Sequence, residues 1–121
     1  MSERRSREAL LDSLVDILVA EGFSDWKMGV LASRLSCSRS TLYKLAPSKT
    51  ELIVLVLNRV IDSIMADALE AAGRPGLSAA EKITAYGGVV VERQSHINPR
   101  VWTDVAELPE AQAVFSPRRG A

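Results

Sequence analysis

The stretch that decides how this chain reads is CSRSTLYKLAPSKTEL, residues 37–52. Arginine, serine, threonine, tyrosine and lysine crowd into two turns of chain before Pro47, and Ser48 stands three residues ahead of Glu51 at the head of a long apolar run. Proline lacks the N–H a continuing helix needs. Serine followed three residues on by glutamate is the pattern of a capping box. The spacing therefore predicts a short helix over about 39–45 and a new one from about Lys49. At about 100° per residue, Arg39, Ser40, Tyr43 and Lys44 share an arc of about 140°, and Leu42 and Leu45 fall on the other side. Two leucines would anchor this helix while a cationic, hydrogen-bonding face turns outward.

Upstream, Leu10, Leu11, Leu14, Ile17 and Leu18 recur at steps of three and four. They predict a helix over about 7–21, capped by Ser6 and stopped by Gly22. Phe23 and Trp26 would pack beneath the next turn. A second helix over about 27–35, capped by Ser24 or Asp25, would bury Val30, Leu31 and Leu35. Gly29 within it costs about 1 kcal/mol relative to alanine, so packing must hold it. Ser36, Cys37 and Ser38 form the break before the short helix.

Downstream, a helix over about 49–72 carries a stripe from Leu52 to Met65 wide enough to predict burial on more than one side. GRPG, residues 73–76, breaks the chain. Ser78 and Glu81 repeat the capping box and open a helix over about 79–95. Gly87 and Gly88 would mark a bend there, or the close approach of another backbone. Pro99 suits the first position of a sixth helix running to Glu107, and after Pro109 the chain reads as a frayed tail. There is no strand alternation and no repeat. The expected fold class is all-α.

Apolar residues make up 47% of the 121, too many for a disordered chain. Net charge is zero, with 15 basic and 15 acidic side chains. Residues 1–50 carry 8 Lys/Arg and 6 Asp/Glu, a net +2, which leaves −2 for residues 51–121. The basic lean is towards the N-terminal half. One cysteine excludes an internal disulfide, and with one histidine it makes a metal site or a bound cofactor an unpromising expectation. No acid–base pair or nucleophile–histidine pair stands at workable spacing, so an enzyme is not expected. No apolar run approaches the ~20 residues of a membrane span. The charged start MSERRSREAL has no signal core, so a cytoplasmic location is expected.

Two short helices joined by a tight turn, the second with a polar outer face, describe a helix-turn-helix. The ordered set Gly22-Phe23, Leu31-Ala32, Ser38, Thr41-Leu42-Tyr43 and Pro47-Ser48-Lys49 with Leu52 resembles the N-terminal domain of TetR-type transcriptional regulators. The likeness covers about residues 8–60. It implies a three-helix DNA-binding domain over 1–50, followed by a long connecting helix and a helical effector and dimerisation part over 51–121. It also implies a homodimer on double-stranded DNA, a small-molecule effector, and helix 3 in the major groove. Carried over by position, Lys27, Ser38, Arg39, Ser40, Thr41, Tyr43, Lys44 and Lys49 would meet bases and phosphates, and Arg4, Arg5 and Arg7 would form an arm along the backbone.

The chain departs from that pattern in four places. Ser36 stands where the family has glycine in the turn, and Lys27 stands where a serine or threonine opens helix 2. Lys44-Leu45-Ala46 replaces an aromatic-histidine-phenylalanine run. The part after helix 4 is short, as in a truncated chain or one with altered dimerisation. Plainer readings compete throughout. The Arg39–Lys44 face is also what a solvated helix surface looks like. Tyr43 also reads as packing, Lys49 as a cap neighbour, Cys37 as a core filler, His96 as a helix-end residue and Trp102 as core or interface. The alternative function is a helical interaction module of regulator ancestry that binds no DNA by itself.

Overall fold

The structure is a computed structural model that describes residues 6–115. Arg4, Arg5 and the residues after Phe115 lie outside the described residues. The chain is all-α, with seven helices and no strand among the described residues: α1 (Arg7–Glu21), α2 (Met28–Arg34), α3 (Arg39–Leu45), α4 (Lys49–Ala72), α5 (Ala79–Gln94), α6 (Arg100–Ala106) and α7 (Pro109–Val114). No described helix is long and apolar enough to cross a membrane.

Local chemistry sets the boundaries. Ser6 Oγ accepts from Ala9 N at 3.0 Å and opens α1. Ser48 Oγ accepts from Glu51 N at 3.1 Å and opens α4. The full capping box forms at α5, where Glu81 also accepts from Ser78 N at 2.8 Å. Lys27 is the N-cap of α2 and makes no side-chain cap bond. The expected caps are used elsewhere: Ser24 Oγ and Asp25 both accept from Arg100. α6 begins just past Pro99, which serves as its N-cap.

One core unites most of the chain. Leu14, Leu18, Leu31, Leu42, Leu52, Val56 and Val101 are essentially sealed, and Phe23 and Trp26 are buried with them. In α2 the buried side is Met28, Leu31 and Ala32, with Leu35 just beyond, while Val30 is 54% exposed. Val30 sits about 200° around the helix from Met28, so the face that buries Met28, Leu31 and Ala32 turns Val30 to solvent. α4 is buried on more than one side as its stripe predicts, packing against α1, α5 and α7; it is sealed through Val60 and again at Ala68 and Ala71, while Met65 and Leu69 are exposed.

Two further expectations are corrected. α5 runs unbroken through Gly87 and Gly88, and no described atom of the chain lies within 4 Å of a Cβ built at either. Pro109 does not begin a frayed tail. It is the first residue of α7, a position where its fixed φ and missing N–H cost nothing. Ala111 is sealed against the core from there.

The start of α6 is latched to the end of α1. The buried Asp104 carboxylate accepts from Phe23 N at 2.8 Å and Ser24 N at 3.0 Å. Asn98 donates from its backbone to Val19 O and from its side chain to Ala20 O, both at 2.8 Å. Val19 O and Ala20 O are orphan carbonyls of the last turn of α1, and the Phe23 and Ser24 amides are donors of the connection that Asp104 satisfies. Gly22 sits inside the latch with φ +80, where an added Cβ would stand 2.5 Å from Asp104 Oδ2. Asp104→Ala strands the buried Phe23 amide and is expected to lower unfolding free energy by about 2–4 kcal/mol. Asp104→Asn keeps an acceptor and should cost about half as much. Urea denaturation measures both; an Ala variant within 0.5 kcal/mol of wild type, on the order of a neutral surface change, would remove the latch from the account.

Candidate nucleic-acid interface

The candidate surface is built on α2, α3 and the turn between them. Leu42, fully buried, pins α3 from beneath, with Leu45 half-buried and Ala46 buried at its end. Lys44-Leu45-Ala46 therefore docks α3 without an aromatic plug. Ser38 caps α3, its Oγ accepting from Thr41 N at 3.0 Å and lying 2.9 Å from Thr41 Oγ1. The two hydroxyls largely satisfy each other, which makes Ser38 and Thr41 structural parts of the helix start.

Arg39, Ser40, Tyr43 and Lys44 all face solvent, with Tyr43 44% exposed. α3 carries no acidic residue. The Arg39 side chain lies over Gly29 of α2, about 3.9–4.0 Å from where a Cβ there would stand. Lys27 is exposed at the head of α2. Lys49 is exposed at the head of α4, and its Nζ donates to Trp26 O at 3.2 Å. Lys49 thus braces the α1–α2 connection with one of its three donors and keeps the others for solvent. Arg7 is exposed on the first turn of α1.

The turn explains how seven-residue helices hold their angle. Cys37 N donates to Ala32 O at 2.9 Å and Ser36 N to Ser33 O at 3.2 Å, the paired bonds of a Schellman ending. That ending needs a left-handed residue, and Ser36 supplies it at φ +56. Cys37, half-buried, packs against the core. On the far side of α2, Arg34 forks onto Glu21 of α1 at 2.8 and 2.9 Å. The hydrogen bond from Arg34 holds the Glu21 carboxyl below its ordinary pKa, and both groups are solvent-exposed.

Away from this surface, an apolar cleft of about 290 Å³ opens between α4, α5 and α6, lined by Leu57, Met65, Tyr86, Val90, Val101 and Trp102 among others. Trp102 packs edge-on against Phe115, centroids 5.8 Å apart, and is 40% exposed. His96 is exposed beside Glu92 at 3.1 Å. Among the described residues no group of histidine, cysteine and carboxylates is arranged to hold a metal ion. No family model, curated protein or solved structure matches the chain.

Two substitutions test the scaffold beneath the surface. Ser36→Gly relieves a left-handed serine and should raise stability by about 1 kcal/mol. Gly29→Ala meets Arg39 only at ordinary contact distance and should add about 0.5–1 kcal/mol through helix propensity. Thermal unfolding reads both, and a fall in melting temperature for Ser36→Gly would contradict the assigned turn.

Proposed function

We propose that this protein is a sequence-specific DNA-binding transcriptional regulator of repressor type, acting as a homodimer with α3 in the major groove. The observation that carries the reading is the outer face of α3. Arg39, Ser40, Tyr43 and Lys44 stand together in solvent, without an acid on the helix, on a backbone anchored by fully buried Leu42. Arginine pairs bidentately with a guanine edge, a contact worth about 1–3 kcal/mol of discrimination. Lys27, Lys44 and Lys49 would neutralise phosphates, which positions the helix without reading sequence. The motif order Gly22-Phe23 through Leu52 supports the same reading. The apolar cleft between α4, α5 and α6 would take the small effector that the resemblance implies.

The second reading, an interaction module that binds no DNA, is favoured by the exposed apolar side chains of α4 and α5, among them Leu69 at 60% and Ile83 at 74%. Binding to a labelled duplex pool as salt rises separates the two. A regulator binds, weakens linearly in log affinity against log salt, and yields a consensus on repeated selection. Arg39→Ala and Tyr43→Ala should then lose preference for that consensus. Lys44→Ala or Lys49→Ala should weaken binding to every sequence and lower the salt slope by about one. A folded chain with no salt-dependent duplex binding sinks the regulator reading. Equal losses on selected and random DNA for all four variants sink the division of labour.

A further inference from the structure

The cleft between α4, α5 and α6 has the core itself for a floor: Leu18, Leu57 and Val101, each 2% exposed or less. Thirteen described residues line it, and none is Asp, Glu, Lys, Arg or His. That sets it apart from two other clefts of the molecule. The one along α1 and α4 is lined by Asp12, Arg59, Asp62, Arg93 and His96 besides its apolar groups. The one beside the α1–α2 connection is lined by Glu21, Asp25, Lys27, Arg34 and Arg100. A charged ligand entering the uncharged cleft would shed its water and meet no counter-charge, which is costly. Three of the chain's six aromatic residues line the same cleft: Tyr86, Trp102 and Phe115. Trp102 is edge-on to Phe115, and they stay 40% and 43% exposed, so aromatic surface is open to a flat ring.

Only two polar side chains reach the cleft, Tyr86 and Gln94 of α5. Neither side chain hydrogen-bonds another described residue. They stand eight residues apart, about 12 Å along the helix, with Val90 midway. The hydroxyl and the amide can each donate and accept. Volume limits the occupant. A dry apolar cavity of about 150 Å³ takes benzene, and this cleft, at about 290 Å³, has nearly twice the room. We propose that the cleft binds an uncharged two-ring aromatic compound with one hydrogen-bonding oxygen, its rings between Trp102 and Val90 and its oxygen on Tyr86 or Gln94. This names the chemical class of the effector in the reading above, and it rests on that reading only for the ligand's regulatory role.

Calorimetric titration of the full chain with 2-naphthol, and with 2-naphthoate, which has the same rings and a carboxylate, tests it. Naphthol should bind one per chain with a Kd on the order of 100 μM or tighter. Naphthoate should bind at least about tenfold more weakly. Val90→Trp, which fills the cleft, should abolish naphthol binding with the helical circular-dichroism signal kept. Tyr86→Phe combined with Gln94→Leu keeps the shape, removes both polar groups and should weaken naphthol by about three- to tenfold. Lys82→Glu, outside the cleft, should change nothing. A wild type that takes up no naphthol overturns the proposal. So does one that binds naphthoate as tightly, or naphthol binding that a folded Val90→Trp or the double variant leaves intact. A chain that self-associates without taking up naphthol, through a contact that Val90→Trp breaks, gives the cleft to a partner's side chain and overturns it too. No arm uses DNA. A chain that binds duplex but not naphthol overturns this proposal alone, and one that binds naphthol but no duplex overturns only the regulator reading.

Discussion

Asp104 is the point on which the arrangement of helices turns. Its carboxylate takes two backbone amides from the α1–α2 connection, and Asn98 takes two carbonyls from the end of α1. Those partners lie some eighty residues apart in sequence, so the connection that sets the start of α2 is built from the far end of the chain. Buried donors must find acceptors or cost free energy. Here α6 crosses α1 to satisfy them, and Gly22 makes room for that approach. Lys49 adds a third tie by bonding Trp26 O from the head of α4.

α4 links two different environments. Its first half, through Val60, is buried in the common core against α1. Its second half pairs with α5, with Arg93 of α5 bound to Asp67 and Ser63, and buries Ala68 and Ala71 while Met65 and Leu69 stay in solvent. The chain therefore offers a polar, cationic surface at α3 and an apolar one on the α4–α5 hairpin. The first suits a polyanion, the second another apolar surface.

The candidate surface was legible where helical period alone decides. Arg39, Ser40, Tyr43 and Lys44 share an arc on any helix over these residues, and Leu42 is opposite them in any case. It was not legible where geometry chooses among competing partners. Ser38 and Thr41 show only their type in the sequence, and the fold adds that their hydroxyls close the start of α3. Lys49 reads as exposed charge alone, and its bond to Trp26 O, which braces the α1–α2 connection, is visible only in the fold. Val30 reads as core in the sequence but lies in solvent, because a seven-residue helix makes barely two turns, too few for its apolar phase to show unambiguously. After Pro109 the sequence reads as a frayed tail, although proline also starts helices, and only the sealed Ala111 distinguishes the two.

By itself, then, the sequence determined the all-α class, the caps at Ser6, Ser48 and Ser78, the stops at Gly22 and Pro47, and the anchoring of α3 through Leu42. These are local matters of period, capping and backbone freedom. Tertiary structure alone decided that Asp104 and Asn98 hold the end of α1, that Ser36 takes the left-handed turn position, that α7 forms, and that the outer half of α4 with all of α5 keeps an apolar face in solvent. Each depends on which distant group satisfies a buried polar atom, or on which face a neighbour covers, and no periodicity carries that information.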